Sequence, residues 1–276
     1  MKKILAILLA ALLACTLMSC KKDKVDTEDD DDKAVAELVY ENFTYAVNGE
    51  GTYEITGYTY GGVELKDVVV PSKMPDGREV TGIAADAFKA IRTIKSVTIP
   101  ATITYIGQYA FYDCDEITEI VIPDTVTSVG IGAFQDCDKL ASVTLSKELK
   151  AVADHVFKNC VALDNIVLPE KVESIGDSSF WGCTSLTEIV IPEGVKDMGD
   201  ATFYGCEALD KVTVLGTALG ATEEDAEGNK TEHSIGEIVF HACAEDLVIK
   251  VTKDSAFAKY AEDNKYSVSY NEEVAE

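Results

Sequence analysis

The sequence predicts a repeat solenoid: a right-handed coil with one parallel β-strand per 23-residue repeat, returning through a short second strand or helical turn. Three columns of residues predict it. Phe88, Phe111, Phe134, Phe157, Phe180 and Phe203 are each 23 residues apart. Cys114, Cys137, Cys160, Cys183 and Cys206 keep the same step, three residues after a phenylalanine, and Ile94, Ile117, Leu140, Leu163, Leu186 and Leu209 form a third column. Independent residue types that share one period mark stacked copies of one unit, and such periodicity outranks local propensity as a fold signal.

Within a unit, the strand is the short β-branched run closed by proline, as in Val97-Thr98-Ile99-Pro100, Ile120-Val121-Ile122-Pro123 and Ile189-Val190-Ile191-Pro192. Alternate residues face opposite sides, so the first and third apolar residues point inward. Proline ends the pairing because it has no N–H to give a neighbouring strand. The proline column runs Pro100, Pro123, Pro169, Pro192, with Ser146 in the missing place. A turn then leads to Ile106-Gly107, Val129-Gly130, Ile175-Gly176 or Met198-Gly199, and on to the Phe and Cys positions. No segment of the unit is long enough for a full amphipathic helix.

The departures from period set the boundaries. Residues 1–19 form a leader, 20–40 an acidic tether, 41–66 an N-terminal β cap, 67–251 the solenoid and 252–276 a C-terminal cap. Pro71 to Pro100 exceeds the period, and Met74-Pro75-Asp76-Gly77 supplies the turn that absorbs the excess. Phe203 to Phe240 also exceeds it, with the surplus in residues 216–234, an acidic insertion expected to loop out before Phe240 and Cys243 resume the register. Asn42 to Tyr60, rich in Tyr and Thr around Gly49-Glu50-Gly51, reads as a hairpin, and Asp254–Asn264 with Tyr266–Tyr270 as a closing helix and strand. Exposed end coils need such covers.

Lys2 and Lys3 precede the apolar run Ile4–Met18, too short to span a bilayer and followed by charge, which makes it a cleavable signal peptide. Leu17-Met18-Ser19-Cys20 reads as a lipobox with Cys20 the lipidated residue. Leu12-Leu13-Ala14-Cys15 is a rival, but only Cys20 is followed by charge. Residues 21–33, with the run Asp29–Asp32, hold too little apolar surface to repay ordering. Acidic residues soon after a lipidated cysteine resemble the surface-export signals of lipoproteins in Gram-negative anaerobes. The expected location is thus a lipid anchor in the outer membrane with the chain exposed at the cell surface. Loss of Lys2 and Lys3 with the leader takes the formal charge from −25 to −27. Such a charge disfavours nucleic acid and anionic membrane surfaces as ligands.

The pattern Leu186-x-x-Ile189-x-Ile191-Pro192-x-x-Val195-x-x-Met198-Gly199-x-x-x-Phe203-x-x-Cys206 resembles the BspA-type leucine-rich repeat of bacterial surface proteins. That resemblance implies a leucine-rich-repeat-like solenoid and adhesion to host proteins or other cells. It does not imply a ligand, because function on a shared fold lives in its particular site.

Chemistry is sparse once the repeat is subtracted. The cysteine column invites a disulfide or metal reading, but its members stand one strand spacing (~4.8 Å) apart and point the same way. A disulfide wants Cβ atoms converging at about 3.8 Å, and zinc sites use close pairs such as Cys-x-x-Cys, absent from the sequence. A buried thiol ladder fits better. Asp154, His155 and Cys160 could be imagined as a nucleophilic set, yet Cys160 is the standard cysteine of the repeat and His155 stands where Tyr109, Gly132 and Ser178 stand elsewhere. Residues 225–229 do not fit a calcium-loop frame. The sequence therefore predicts no catalytic residue, no metal site and no cofactor.

Binding falls to the positions that packing leaves free. One outward strand column reads Thr98, Val121, Thr144, Val167, Val190, Thr213, and the column two residues earlier reads Ser96, Glu119, Ser142, Asn165, Glu188, Lys211. The residue after each Phe reads Lys89, Tyr112, Gln135, Lys158, Trp181, Tyr204, His241. The candidate ligand-binding residues are thus Val121, Val167, Val190, Glu119 and Glu188 on the strand face, and Tyr112, Trp181 and Tyr204 beside the Phe turn. Exposed aromatics there could stack on a sugar or anchor a protein loop; folded back, they are packing. The expected partner of this monomeric chain is a protein, with a structural envelope role or glycan binding as alternatives.

Overall fold

The structure is a computed structural model that describes residues 38–40, 42–58, 66–224 and 229–271, all within the compact unit Ala36–Glu276. The leader, Cys20 and residues 21–33 lie outside the described residues. The unit is a β-solenoid of about nine turns with almost no helix.

Each full coil carries two short strands. The first ladder stacks Asp67–Val69 on Ser96–Thr98, then Glu119–Val121, Ser142–Thr144 and Asn165–Ile166, then Glu188–Ile191, Lys211–Val214, Val248–Val251 and Ser267–Tyr270, all parallel. The second stacks Val80–Ile83, Tyr105–Ile106 and Ser128–Val129, then Ala151–Val152, Ser174–Ile175 and Asp197–Met198. Of the two returns the sequence allows, the chain uses the second strand. The only helix among the described residues is Ala256–Asp263, in the C-terminal cap, with Ser255 accepting the Ala258 amide at its N-terminus.

No helix forms at the Phe turn because the backbone there reverses hand twice per coil. The residues two before and two after each Phe are left-handed, from φ +50° at Ile238 to φ +73° at Gly182. The column before Phe holds Asp86, Tyr109, Gly132, His155, Ser178, Ala201 and Ile238, and the column after it holds Ala90, Asp113, Asp136, Asn159, Gly182, Gly205 and Ala242. This alternation points every second amide at the next coil. Phe111 donates to Ala133 O at 2.8 Å, flanked by Tyr109 to Ile131 O at 2.9 Å and Asp113 to Gln135 O at 2.9 Å, and the triplet recurs coil after coil. The turn is therefore a third hydrogen-bonded seam, and non-Gly residues adopt an unfavourable φ to make it.

The core follows from this stacking. Phe88, Phe111, Phe134, Phe157, Phe180, Phe203 and Phe240 form one column of rings with centroids 5.0 to 5.8 Å apart and planes within 24° of parallel. At the N-terminal end Phe43 meets Phe88 edge-on at 6.3 Å; at the C-terminal end Phe257 and Tyr266 meet Phe240 edge-on at 6.3 and 5.7 Å. Edge-to-face contact is favourable for rings yet offers no further face to stack on, so the caps end the column. Close approach of coils also explains the glycine after four of the six second strands, at 107, 130, 176 and 199: a Cβ on Gly199 would lie 2.7 Å from the carbonyl carbon of Gly176.

Phe43–Val47 and Tyr53–Tyr58 form the N-terminal hairpin, extended by Leu38–Tyr40 and stitched to the second ladder through Val80–Ile83. Gly77, at φ +86°, closes the predicted turn by donating to Met74 O. Part of the insertion forms a hairpin, Thr222–Glu224 paired antiparallel with Lys230–Glu232. Asp197 anchors its base by accepting the Ser234 amide at 2.8 Å and facing His233 Nδ1 at 3.1 Å, so the Gly236 amide reaches Met198 O and the register resumes.

Phe157 is completely buried in mid-column, so Phe157→Ala should cost about 3–5 kcal/mol in denaturant unfolding. Ile238 is exposed at φ +50°, and no β-branched side chain is at ease there. Ile238→Gly should raise stability by about 1 kcal/mol, since relief of the left-handed strain exceeds the entropy glycine loses on folding.

Candidate binding face

The polar groups of the turn are largely spent on structure. Each thiol of the cysteine column donates to the Phe carbonyl one coil back: Cys114 to Phe88 O, Cys137 to Phe111 O, Cys160 to Phe134 O, Cys183 to Phe157 O and Cys206 to Phe180 O, at 3.1 to 3.2 Å. Cys243 repeats the contact with Phe203 O across the insertion. The column is a buried ladder, as the spacing suggests, with a directional role as well as an apolar one. Burial pushes the thiols up, Cys114 and Cys243 to about 12 and Cys137, Cys160 and Cys206 well above the ordinary range. Cys160 is thus protonated and occupied, and His155 sits at φ +58° in the left-handed column, which accounts for its place beside the cysteine.

The carboxylates tell a similar story. Asp154, Asp177 and Asp200 each accept the backbone amide of the next coil, from Asp177, Asp200 and Glu237 at 2.9, 2.8 and 2.7 Å. Other acids pair across one coil with lysine, as in Glu188 with Lys211 at 2.9 Å and Asp124 with Lys147 at 3.6 Å. Asp113, Asp115, Asp136 and Asp138 form an acidic ridge that Arg92 and Asn159 bridge, with Asn159 donating to Asp136 at 2.7 Å and Arg92 paired to Asp113.

The three aromatic candidates divide. Tyr112 belongs to this ridge. The Asp136 carboxylate beside its hydroxyl raises the phenol, and its ring packs against Tyr109 at 5.7 Å. Trp181 and Tyr204 stack on one another at 4.3 Å, with Lys158 Nζ 4.9 Å over Trp181 and His241 5.2 Å beyond Tyr204. Both rings are half-buried and covered above and below, so they present edges rather than a platform. Of the two readings open for this pair, the geometry is that of packing over the coil edges, and a sugar would find no open ring face to stack on.

The strand candidates come together on one surface, the outer side of the first ladder. Val121, Val167 and Val190 project from it at 60%, 75% and 47% exposure, in line with Val69 at 67%. Thr98 and Thr144 are exposed between them, and Glu119 and Glu188 stand exposed in the adjoining column. Leu215, at 51% exposure, joins the strip. It was overlooked although the signal was present: it lies one period after Pro192, where a large apolar residue replaces the usual proline. Val248 is exposed in the adjoining column, opposite Lys211, towards the C-terminal cap.

Comparison with known proteins places this architecture. The BspA type leucine rich repeat region matches the chain in six copies, over residues 53–172 and 81–210, more than half its length. The chain belongs to the BspA-type leucine-rich repeat family. Among solved structures it is similar to a leucine rich cell surface protein from Faecalibacterium prausnitzii, with 25% identity, a TM-score of 0.54 and 80% of this chain covered. This chain spans 65% of that protein's length. It shares its fold with the Leucine Rich Repeat protein of T. pallidum (23% identity, TM-score 0.50, covering 84% of this chain and 98% of that one). The same holds for a leucine-rich repeat protein from Eubacterium ventriosum (21% identity, TM-score 0.53, covering 72% and 50%). No curated protein matches it. BspA-type proteins are a repeat family of bacterial surfaces with a general binding role, and the match indicates no catalytic family. Among the described residues no helix is long and apolar enough to cross a membrane.

The raised thiols carry a pH dependence with a definite sign. The unfolded chain loses thiol protons first, so the thiols' contribution is complete below their ordinary value of 9.0 and is lost as pH climbs towards about 12. The denaturation midpoint should fall between about pH 8 and about pH 11, and Cys160→Ala with Cys183→Ala should flatten that fall. In the native protein at neutral pH, alkylation followed by mass spectrometry should label Cys243 first, because it alone of the column is partly exposed.

Proposed function

We propose that this BspA-type protein is a lipid-anchored, non-catalytic binding protein of the outer cell surface, which engages protein partners through the outer face of its first ladder. One observation carries the reading: on a chain of net charge −25, the exposed aliphatic residues Val69, Val121, Val167, Val190 and Leu215 gather on the outer side of the first ladder. Aliphatic area left in water forgoes about 25 cal/mol per Å², and a contiguous patch of it recovers that energy when a partner covers it. Strands held in register from below make the face rigid, so binding costs little ordering. Protein is preferred to glycan because Trp181 and Tyr204 cover one another's ring faces. Cys20 would supply the anchor, and residues 21–33 the spacing from the membrane.

A panel of immobilised host-matrix proteins, run beside a glycan array, tests this. The chain should bind at least one protein, and Val121→Asp with Val190→Asp should weaken that binding at least about tenfold without changing the melting temperature. Binding confined to glycans, or unaffected by the two substitutions, would overturn the reading. Cys20→Ser should move the protein from the membrane to the soluble fraction. Protease added to intact cells should degrade the anchored form; complete protection would instead favour an inward-facing structural role.

A further inference from the structure

The first ladder is interrupted twice along its binding face, first between Ser96–Thr98 and Glu119–Val121 and again after Asn165–Ile166. Asn165–Ile166 pairs with Ser142–Thr144 on one side, and Glu188–Ile191 pairs with Lys211–Val214 on the other, but the two strands belong to different sheets. Among the described residues no ladder joins them. A groove of about 410 Å³ lies over the second interruption, lined by Val167, Val190, Pro192 and Leu215 and rimmed by Glu170 and Glu188. Its valines and leucine are the most exposed group of aliphatic side chains on neighbouring coils.

We infer that this groove seats an extended, positively charged segment of a protein partner. The inference presupposes that the first-ladder face is the binding surface and adds the chemistry of what it binds. Three features select the occupant. The floor is aliphatic, which suits the methylene stems of lysine and arginine or a β-branched side chain. The rim is acidic: Glu170 is exposed and free of ion pairs among the described residues, and Glu188 shares a solvent-exposed contact with Lys211 at 2.9 Å that exchanges readily. The groove lies over two adjacent strands, so an extended chain laid in it directs alternate side chains at floor and rim. Net charge of −25 opposes a second copy of this chain or an anionic ligand at the same place.

The test uses the full chain in detergent and fluorescence anisotropy with three labelled peptides of about eight residues. One alternates valine and lysine, one alternates valine and glutamate, and one is all lysine. The valine–lysine peptide should bind, more weakly as salt rises. Glu170→Gln with Glu188→Gln should weaken it on the order of tenfold, and Val167→Ser with Val190→Ser by a similar factor. All four positions are exposed, so circular dichroism and the melting temperature should not change. The inference is overturned if the valine–lysine peptide does not bind or the valine–glutamate peptide binds as well. It is equally overturned if the all-lysine peptide binds as tightly and the valine substitutions have no effect. Self-association that Val167→Ser with Val190→Ser abolishes would assign the groove to a second copy and also overturn it. In each case the binding-face reading stands or falls separately, on whether Val121→Asp alone, outside the groove, disrupts capture of a matrix protein.

Discussion

Everything in this molecule depends on successive coils stacking in one register. The Phe column is where that constraint is enforced. Rings 5.0 to 5.8 Å apart pack face to face only if each coil returns after the same path length. The amides flanking each ring reach the next coil only if the backbone alternates hand on either side of it. Packing and hydrogen bonding therefore demand the same step, and a coil that satisfies one satisfies the other. The insertion shows the strength of the demand. Its additional residues are folded into a side hairpin pinned by Asp197, and Phe240 still stacks on Phe203 at 5.5 Å with parallel planes.

Stacking of this kind consumes side chains that would otherwise suggest chemistry. The thiols are donors to Phe carbonyls, the aspartates before the turn accept amides of the next coil, and the paired acids and lysines bridge coils. Stability is then shared between neighbours, and each coil contributes through its two interfaces. What the constraint does not use is the outward side of the first ladder, where side chains leave the stack at right angles. A scaffold that fixes strand positions from within presents variable residues on a rigid surface without, which is a geometry suited to binding and poorly suited to moving substrate through a closed site.

The fold was legible because its signal is repetition. The Phe, Cys and Leu columns, the caps and the restart at Phe240 could be read from spacing, and the Val/Thr column could be placed outward from strand alternation. The left-handed pairs were harder to see. Asp113, Asp136, His155, Asn159, Gly182 and Gly205 are residue types that tolerate positive φ, but Tyr109, Ala201 and Ile238 are not, and they adopt it because the stack requires it. The hairpin in the insertion carries no alternation of apolar and polar residues, so its strands had no period to reveal them. For Trp181 and Tyr204 the sequence leaves both a free pair and packing open, because it shows neighbours in a column without showing that their faces meet. The groove at Val167 depends on a missing hydrogen-bonded ladder, which composition does not report.

The most direct test of the stacking constraint is to remove one whole coil. Excision of residues 135–157 joins Phe134 to Lys158 and takes out one 23-residue step, leaving both caps and the groove intact. Equilibrium unfolding followed by circular dichroism should show a shortened solenoid that keeps its β signature and still unfolds cooperatively, at somewhat lower stability. A companion excision shorter by a single residue should be markedly less stable, because the junction coil must force one residue out of the stack with no side hairpin to absorb it. If the two excisions behaved alike, register between coils would not be what holds this protein together.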